Sequence, residues 1–263
     1  MPEITSNGIR LHYQSEGEGP PVVLVSGLSY GLWTWRWVAP LLSGTCQVVR
    51  LDNRGVDGSD KPPGPYSTPQ MAQDVLGLMD ALDLPACTLV GISLGGFIAQ
   101  EAALARPERV AKLVLMATSF GGPNCLLPAP VALEVMLNRE GGPRAIAERA
   151  IKVNSSAGFP QRHPDRVEEY FRYRERVVMT PESYQAQLKA GMGHNSEARL
   201  SSLRMPVLIL HGDQDQVVPP GNADLLAKRI PAARVRMLPG AGHLLPMERP
   251  EEVAEAISSF ASE

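Results

Sequence analysis

Apolar and polar positions alternate strictly only near the start of the chain. Ile9-Arg10-Leu11-His12-Tyr13 follows Asn7-Gly8 with period two, which predicts one arm of an antiparallel edge hairpin with a face in water. Later apolar runs are short and continuous. Residues 22–25, 48–51, 89–92, 113–116 and 207–210 have no polar side in the pattern, as expected of parallel strands covered on both faces. Helical spacing between them predicts helices over 32–42, 68–82, 94–105, 221–230 and 250–260, and 234–238 reads as a further strand. The alternation of strand and helix predicts an α/β fold built on a doubly wound, mostly parallel sheet, with ligands at the carboxyl ends of the strands.

The strand rhythm stops between Ser119 and Arg204. Pro143, Pro164 and Pro181 each stand where proline suits the first turn of a helix, because the missing N–H there has no partner to lose. Val167, Tyr170, Phe171 and Val178 recur at helical spacing, and so do Tyr184 and Leu188. About 80 residues without a strand are too many for one loop. The expected organisation is a core from residues 1–120 and 205–263, with a helical cap inserted at 121–204 after the sixth strand.

Composition narrows the partners. A formal net charge of −3 over 263 residues, without a basic cluster, disfavours nucleic acid and anionic lipid, leaving a small molecule as the expected ligand. Oligomeric state is not legible. Cys46, Cys87 and Cys125 lack metal-ligand spacing, and two of them lie in apolar runs, so buried thiols in a reducing cytoplasm are expected. The stretch from Met1 to Gly8 has neither the basic start nor the apolar core of a secretory leader, and no apolar run approaches membrane length. No metal and no cofactor is expected.

Two segments match G-x-S-x-G, a pattern that 24 glycines make common, so local context must decide between them. Gly91-Ile92-Ser93-Leu94-Gly95 lies between a strand and a helix, and Gly95-Gly96 leaves no side chain where that helix must start close to the sheet. Gly27-Leu28-Ser29-Tyr30-Gly31 runs instead into Leu32, Trp33, Trp35 and Trp37, which are too bulky for the same approach. Ser93 is the expected nucleophile.

A serine at neutral pH needs a base, and the base needs an orienting group. Of five histidines, His243 sits in a glycine-rich loop after a strand, Leu238-Pro239-Gly240-Ala241-Gly242-His243-Leu244, where it can face the Ser93 turn. His211 ends a strand and reads as a structural hydrogen bonder, while His12, His163 and His194 fall on the edge arm and in the cap. Two carboxylates follow the same strand, Asp213 and Asp215. Asp215 is taken as the orienting acid and Asp213 as a helper or turn former.

The order Ser93, Asp215, His243 resembles that of the α/β-hydrolase superfamily. Leu51-Asp52-Asn53-Arg54-Gly55-Val56-Asp57-Gly58-Ser59-Asp60 is similar to that family's D-x-R-G-x-G-x-S-D loop, and Gly242-His243 followed by Glu248-Arg249-Pro250-Glu251-Glu252 adds to the likeness. The resemblance implies an oxyanion hole from the backbone N–H groups of Leu28 and Leu94. It also places Ser29 beside that hole, able to touch a substrate without attacking it. Where relatives often carry His-Gly before the hole, this chain has Ser26-Gly27.

Ser93 in place of aspartate argues against epoxide and haloalkane chemistry, and Leu94 in place of tryptophan against proline iminopeptidases. The resemblance leaves an acyl-serine route. Ser29, Trp33, Phe120, Met136 and Leu244 are the candidate substrate-binding residues, with no evident arginine or lysine cluster, so the expectation is a carboxylesterase acting on small, mainly apolar esters. Lactonase or enol-lactone hydrolase activity, carbon–carbon bond hydrolysis and perhydrolase chemistry use the same three residues. A small-molecule receptor with weak hydrolysis is the remaining alternative.

Overall fold

Continuous apolar runs need cover on both sides, and the computed structural model, which describes residues 2–231 and 233–263, supplies it. Met1, first in the stretch read above for a leader, and Ala232 lie outside the described residues. An antiparallel hairpin opens the sheet, β1 (Glu3–Ser6) with β2 (Ile9–Glu16), turning on Asn7 and Gly8. Both turn residues have positive φ, 50° and 77°, the handedness a two-residue hairpin turn requires. Then come β3 (Pro21–Val25), α1 (Ala39–Leu42), β4 (Gln47–Leu51), α2 (Thr68–Ala81), β5 (Cys87–Ile92), α3 (Leu94–Ala105) and β6 (Val110–Met116). The order in the eight-stranded sheet is β1-β2-β4-β3-β5-β6, continued by β7 (Val207–Gly212) and β8 (Ala233–Leu238). Pairing is parallel from β4 to β8 and antiparallel at β1–β2 and β2–β4.

Alternate residues of each central strand serve opposite cores. Val23 and Val25 of β3, Leu89 of β5 and Leu113 and Leu115 of β6 pack under α2 and α3. Their neighbours Val22, Leu24, Val90, Val114 and Met116 pack against Trp35, Leu42 and the last helix, α11 (Pro250–Ser262). Each such side chain leaves water completely, worth about 1.5–3 kcal/mol apiece.

Between β6 and β7 lie α4 (Pro130–Leu137), α5 (Pro143–Asn154), α6 (Phe159–Arg162), α7 (Pro164–Arg176) and α8 (Pro181–Met192). After β7 follow α9 (Gly221–Ala227) and, beyond β8, α10 (Leu245–Glu248) and α11 (Pro250–Ser262). Pro143, Pro164 and Pro181 stand in the first turns of their helices.

Two expected helices differ. Residues 32–42 form a 3-10 turn (Leu32–Trp35) and then the four-residue α1, because Pro40 cannot donate back to Arg36 and interrupts a continuous ladder. Val178 does not extend α7. Its N–H donates to Asp57 Oδ1 and its carbonyl accepts from Asp57 N–H, both at 2.9 Å, so the chain leaves the helix to join a core loop. No helix among the described residues is long and apolar enough to cross a membrane.

Candidate active site at the carboxyl ends of the strands

Between β5 and α3 the chain reverses within one residue. Ser93 takes φ 56° and ψ −121°, a left-handed backbone that costs a non-glycine residue about 1–3 kcal/mol and persists only where its surroundings hold it. Here its N–H donates to Met116 O and its carbonyl accepts from Thr118 Oγ1, each at 2.9 Å. A Cβ on Gly91 would stand 2.1 Å from Gly95 O, and one on Gly95 would stand 2.2 Å from Val25 O. Helix and strand therefore meet only because these positions carry no side chain. Ser29 also has positive φ, 61°, but precedes a 3-10 turn, and its hydroxyl accepts from Arg174 Nη2 at 3.2 Å.

His243 lies on the loop after β8, where its N–H donates to Asn154 O at 2.9 Å. Its Nδ1 meets Asp215 Oδ2 at 2.7 Å. The other Asp215 oxygen accepts from the N–H groups of Val217 (2.8 Å) and Val218 (2.9 Å). Burial by itself would raise this carboxyl; the charge of His243 and hydrogen bonds from His211 and His243 outweigh it and hold Asp215 well below the usual carboxylate range. His211 Nε2 is 2.8 Å from Val218 O, a role within the loop. Asp213 is exposed and accepts from Gly240 N–H at 2.7 Å, tying the Asp215 loop to the His243 loop.

The loop after β3 approaches the serine closely. A Cβ on Gly27 would be 3.2 Å from Ser93 Cβ, so Gly27 lets Leu28 come alongside. Ser26 Oγ donates to Gly31 O and Asn53 Nδ2 to the Ser26 backbone carbonyl, both at 2.9 Å, and these two bonds tie the loop. Asp52 Oδ1 accepts from Leu32 N–H at 2.7 Å. From the cap, Gln187 on α8 accepts from Ser29 N–H through Oε1 (3.0 Å) and donates through Nε2 to Arg54 O (2.7 Å). The N–H groups of Leu28 and Leu94 have no acceptor among the described residues.

Ser93 and His243 line one cavity of about 80 Å³, together with Leu28, Ser29, Met136 and Leu244. Ser93 also borders an apolar chamber of about 210 Å³ with Leu28, Leu94, Phe97, Met136 and Leu188. Trp33 and Phe120, both singled out in the sequence as substrate contacts, border neither. Trp33 stacks on Tyr173 with centroids 5.4 Å apart, and Phe120 is fully buried under Arg229, 4.3 Å from its ring.

The sequence reading also missed charge at this site. Arg139 and Arg174 line the Ser93 cavity with Tyr30, Asn154 and Tyr184, contrary to the expectation of no arginine cluster. The two arginines lie 35 positions apart, so only the packing of the cap brings them together. One signal was present. Arg174 follows Val167, Tyr170 and Phe171 at the i+7 position, on the apolar stripe of α7, where a surface cation does not belong.

The sequence profile described as alpha/beta hydrolase fold matches residues 20–250. The chain belongs to this family. Among its relatives, the alpha/beta hydrolase is 32% identical over 247 residues to a poly(3-hydroxyalkanoate) depolymerase of Ectopseudomonas oleovorans, covering 91% of this chain and 83% of that one. Its fold superposes with a TM-score of 0.89 on the enol-lactonase from Burkholderia xenovorans LB400, at 27% identity and full coverage of both chains. A thermophilic esterase from Thermogutta terrifontis, solved with malate bound, gives 0.84 at 30% identity, covering 98% of this hydrolase and 96% of the esterase.

Proposed function

We propose that this alpha/beta hydrolase cleaves carboxylic esters of small molecules through an acyl-serine intermediate. One observation carries the reading: Ser93, on a strained turn, shares a cavity with a histidine whose far nitrogen is held by a buried carboxylate. Ser93 Oγ attacks the ester carbonyl as His243 Nε2 takes its proton, and Asp215 keeps His243 in the tautomer with hydrogen on Nδ1. The N–H groups of Leu28 and Leu94 receive the charge that develops on the carbonyl oxygen. His243 then returns the proton to the departing alcohol, and water repeats the sequence to release the acid. These groups supply nucleophile, base and electrostatic stabilisation, so the route calls for no cofactor. The apolar chamber beside Ser93 takes the hydrocarbon part of the substrate. A lactone is the second substrate form, supported by the full-length likeness to an enol-lactonase.

A fluorophosphonate probe should label Ser93, read by mass spectrometry of the digested protein. With p-nitrophenyl esters, Ser93→Ala should lower kcat by a factor on the order of 10⁶, the scale seen when such a nucleophile is removed. Ser29→Ala should lose far less. Hydrolysis that survives Ser93→Ala in a folded protein would overturn the assignment.

A further inference from the structure

We propose that Arg139 and Arg174 form an anion subsite beside Ser93, and that the substrate carries a carboxylate remote from the bond that is cleaved. The inference rests on the serine hydrolase reading but has its own observations. Arg54, the arginine elsewhere in this chain that is as buried as Arg174, meets Asp74, and half-buried Arg36 and Arg50 meet Glu169 and Glu16, while half-buried Arg149 and Arg166 donate to backbone carbonyls. Arg139 and Arg174 have no carboxylate within ion-pair distance among the described residues. Arg174 is 8% exposed, donates from Nη1 to Ser29 O at 2.6 Å and from Nη2 to Ser29 Oγ at 3.2 Å, and leaves its buried Nε–H without a partner.

Both guanidinium groups lie over aromatic rings, Arg174 on Tyr30 at 4.6 Å and Arg139 on Tyr184 at 4.1 Å. Stacking of this kind holds a planar cation in place while its edge stays free to donate. Burial lowers the Arg139 pKa, Tyr184 opposes that shift, and the neighbouring Arg174 lowers it further. Two like charges drawn together out of water are costly unless an anion joins them. Asp57 feels the charge of Arg174, but it is already engaged by Val178 N–H, and burial pushes its pKa up to about 6.

Placement supplies the direction. Ser29, Arg139, Arg174 and Tyr184 border both the Ser93 cavity and a second chamber of about 350 Å³ under α5 and α8. The apolar chamber containing Phe97 and Leu188 has neither arginine in its wall. A substrate bound across Ser93 thus meets hydrocarbon on one side and two guanidinium groups on the other. Planar, forked donors of this kind match a carboxylate.

The test uses p-nitrophenyl hemiesters of the dicarboxylic acids from succinic to suberic. Each is compared with the p-nitrophenyl ester of the straight-chain monocarboxylic acid of equal carbon number. At the best length the hemiester should exceed its neutral counterpart in kcat/KM by about ten- to a hundredfold. Arg139→Gln should abolish that ratio and Arg139→Lys should keep part of it. Hemiesters no better than neutral esters at every length would overturn the subsite, as would an Arg139→Gln protein in which both members of each pair fall alike. A binding measurement separates this proposal from the hydrolase reading. Calorimetry on Ser93→Ala protein should show hexanoate binding about tenfold or more tighter than hexanamide, with the difference lost on adding Arg139→Gln. If the wild type cleaves no ester but this difference appears, the subsite stands and the ester reading falls. If esters are cleaved and the difference is absent, the subsite falls alone.

Discussion

Asp213 and Asp215 are two residues apart on one loop, and their surroundings give them different work. Asp215 is buried and meets His243 Nδ1 at 2.7 Å, while its other oxygen is filled by two backbone N–H groups. An asparagine there would present an NH₂ group to the histidine or to those backbone donors, so the ring would lose its orienting acceptor. Asp215→Asn is expected to lower kcat by a factor of about 10⁴, the effect in the serine protease template. Asp213→Asn keeps the oxygen that accepts from Gly240 and should lose under about tenfold, consistent with one preserved surface hydrogen bond. Steady-state kinetics on the two folded variants decides the ranking, and equal losses would move the orienting role to Asp213. Both aspartates were legible as candidates because a carboxylate at a strand end is a local feature. The hydrogen bonds that separate them come from residues on two loops.

Among the helices, α4 reaches both a packed cluster and the cavities at Ser93. Met136 borders both chambers at Ser93, packs against the small cluster of Ala132, Val153 and Val217, and offers its carbonyl to Tyr184 Oη at 2.7 Å. Met136→Ala should therefore shift kcat/KM among esters of different chain length by tens of fold at most, about 1–3 kcal/mol, without changing the reaction. A chain-length profile of unchanged shape, with only thermal stability lowered, would assign Met136 to packing alone. Element boundaries were most legible where one local rule governs them. The helix expected over residues 94–105 is α3, started by the Ser93 turn and its glycines. Residues 32–42 were misread because apolar spacing outweighed Pro40, whose ring stops the ladder.

At the scale of the whole molecule, core and cap meet at buried polar residues as well as apolar ones. His194, just after α8, is 2% exposed; its Nδ1 is 3.0 Å from Thr68 Oγ1 on α2, and its ring stacks on Phe97 of α3 at 4.3 Å. Burial lowers its pKa from 6.5 to about 4, against the pull of Glu101 and with the push of Arg199. Between these values the unfolded chain binds a proton that the folded one excludes. Stability is full above about pH 6.5 and falls as the pH drops toward 4, by about 2 kcal/mol between pH 7 and 5. Urea midpoints at those two pH values should show this slope in the wild type and a smaller one in His194→Gln; equal slopes would remove His194 from the account. The sequence by itself determined the layered α/β plan and the strand ends where chemistry collects, because burial on both faces, proline, glycine and a tight turn act over a few neighbouring residues. It also singled out Ser93, Asp215 and His243 as the candidates at those ends. Tertiary structure alone decided the wall of the site. It turned Trp33 toward Tyr173 and Phe120 under Arg229, and it brought Arg139 and Arg174 to one cavity. Which side chains meet across an inserted cap depends on how separate helices pack, and no local periodicity encodes that.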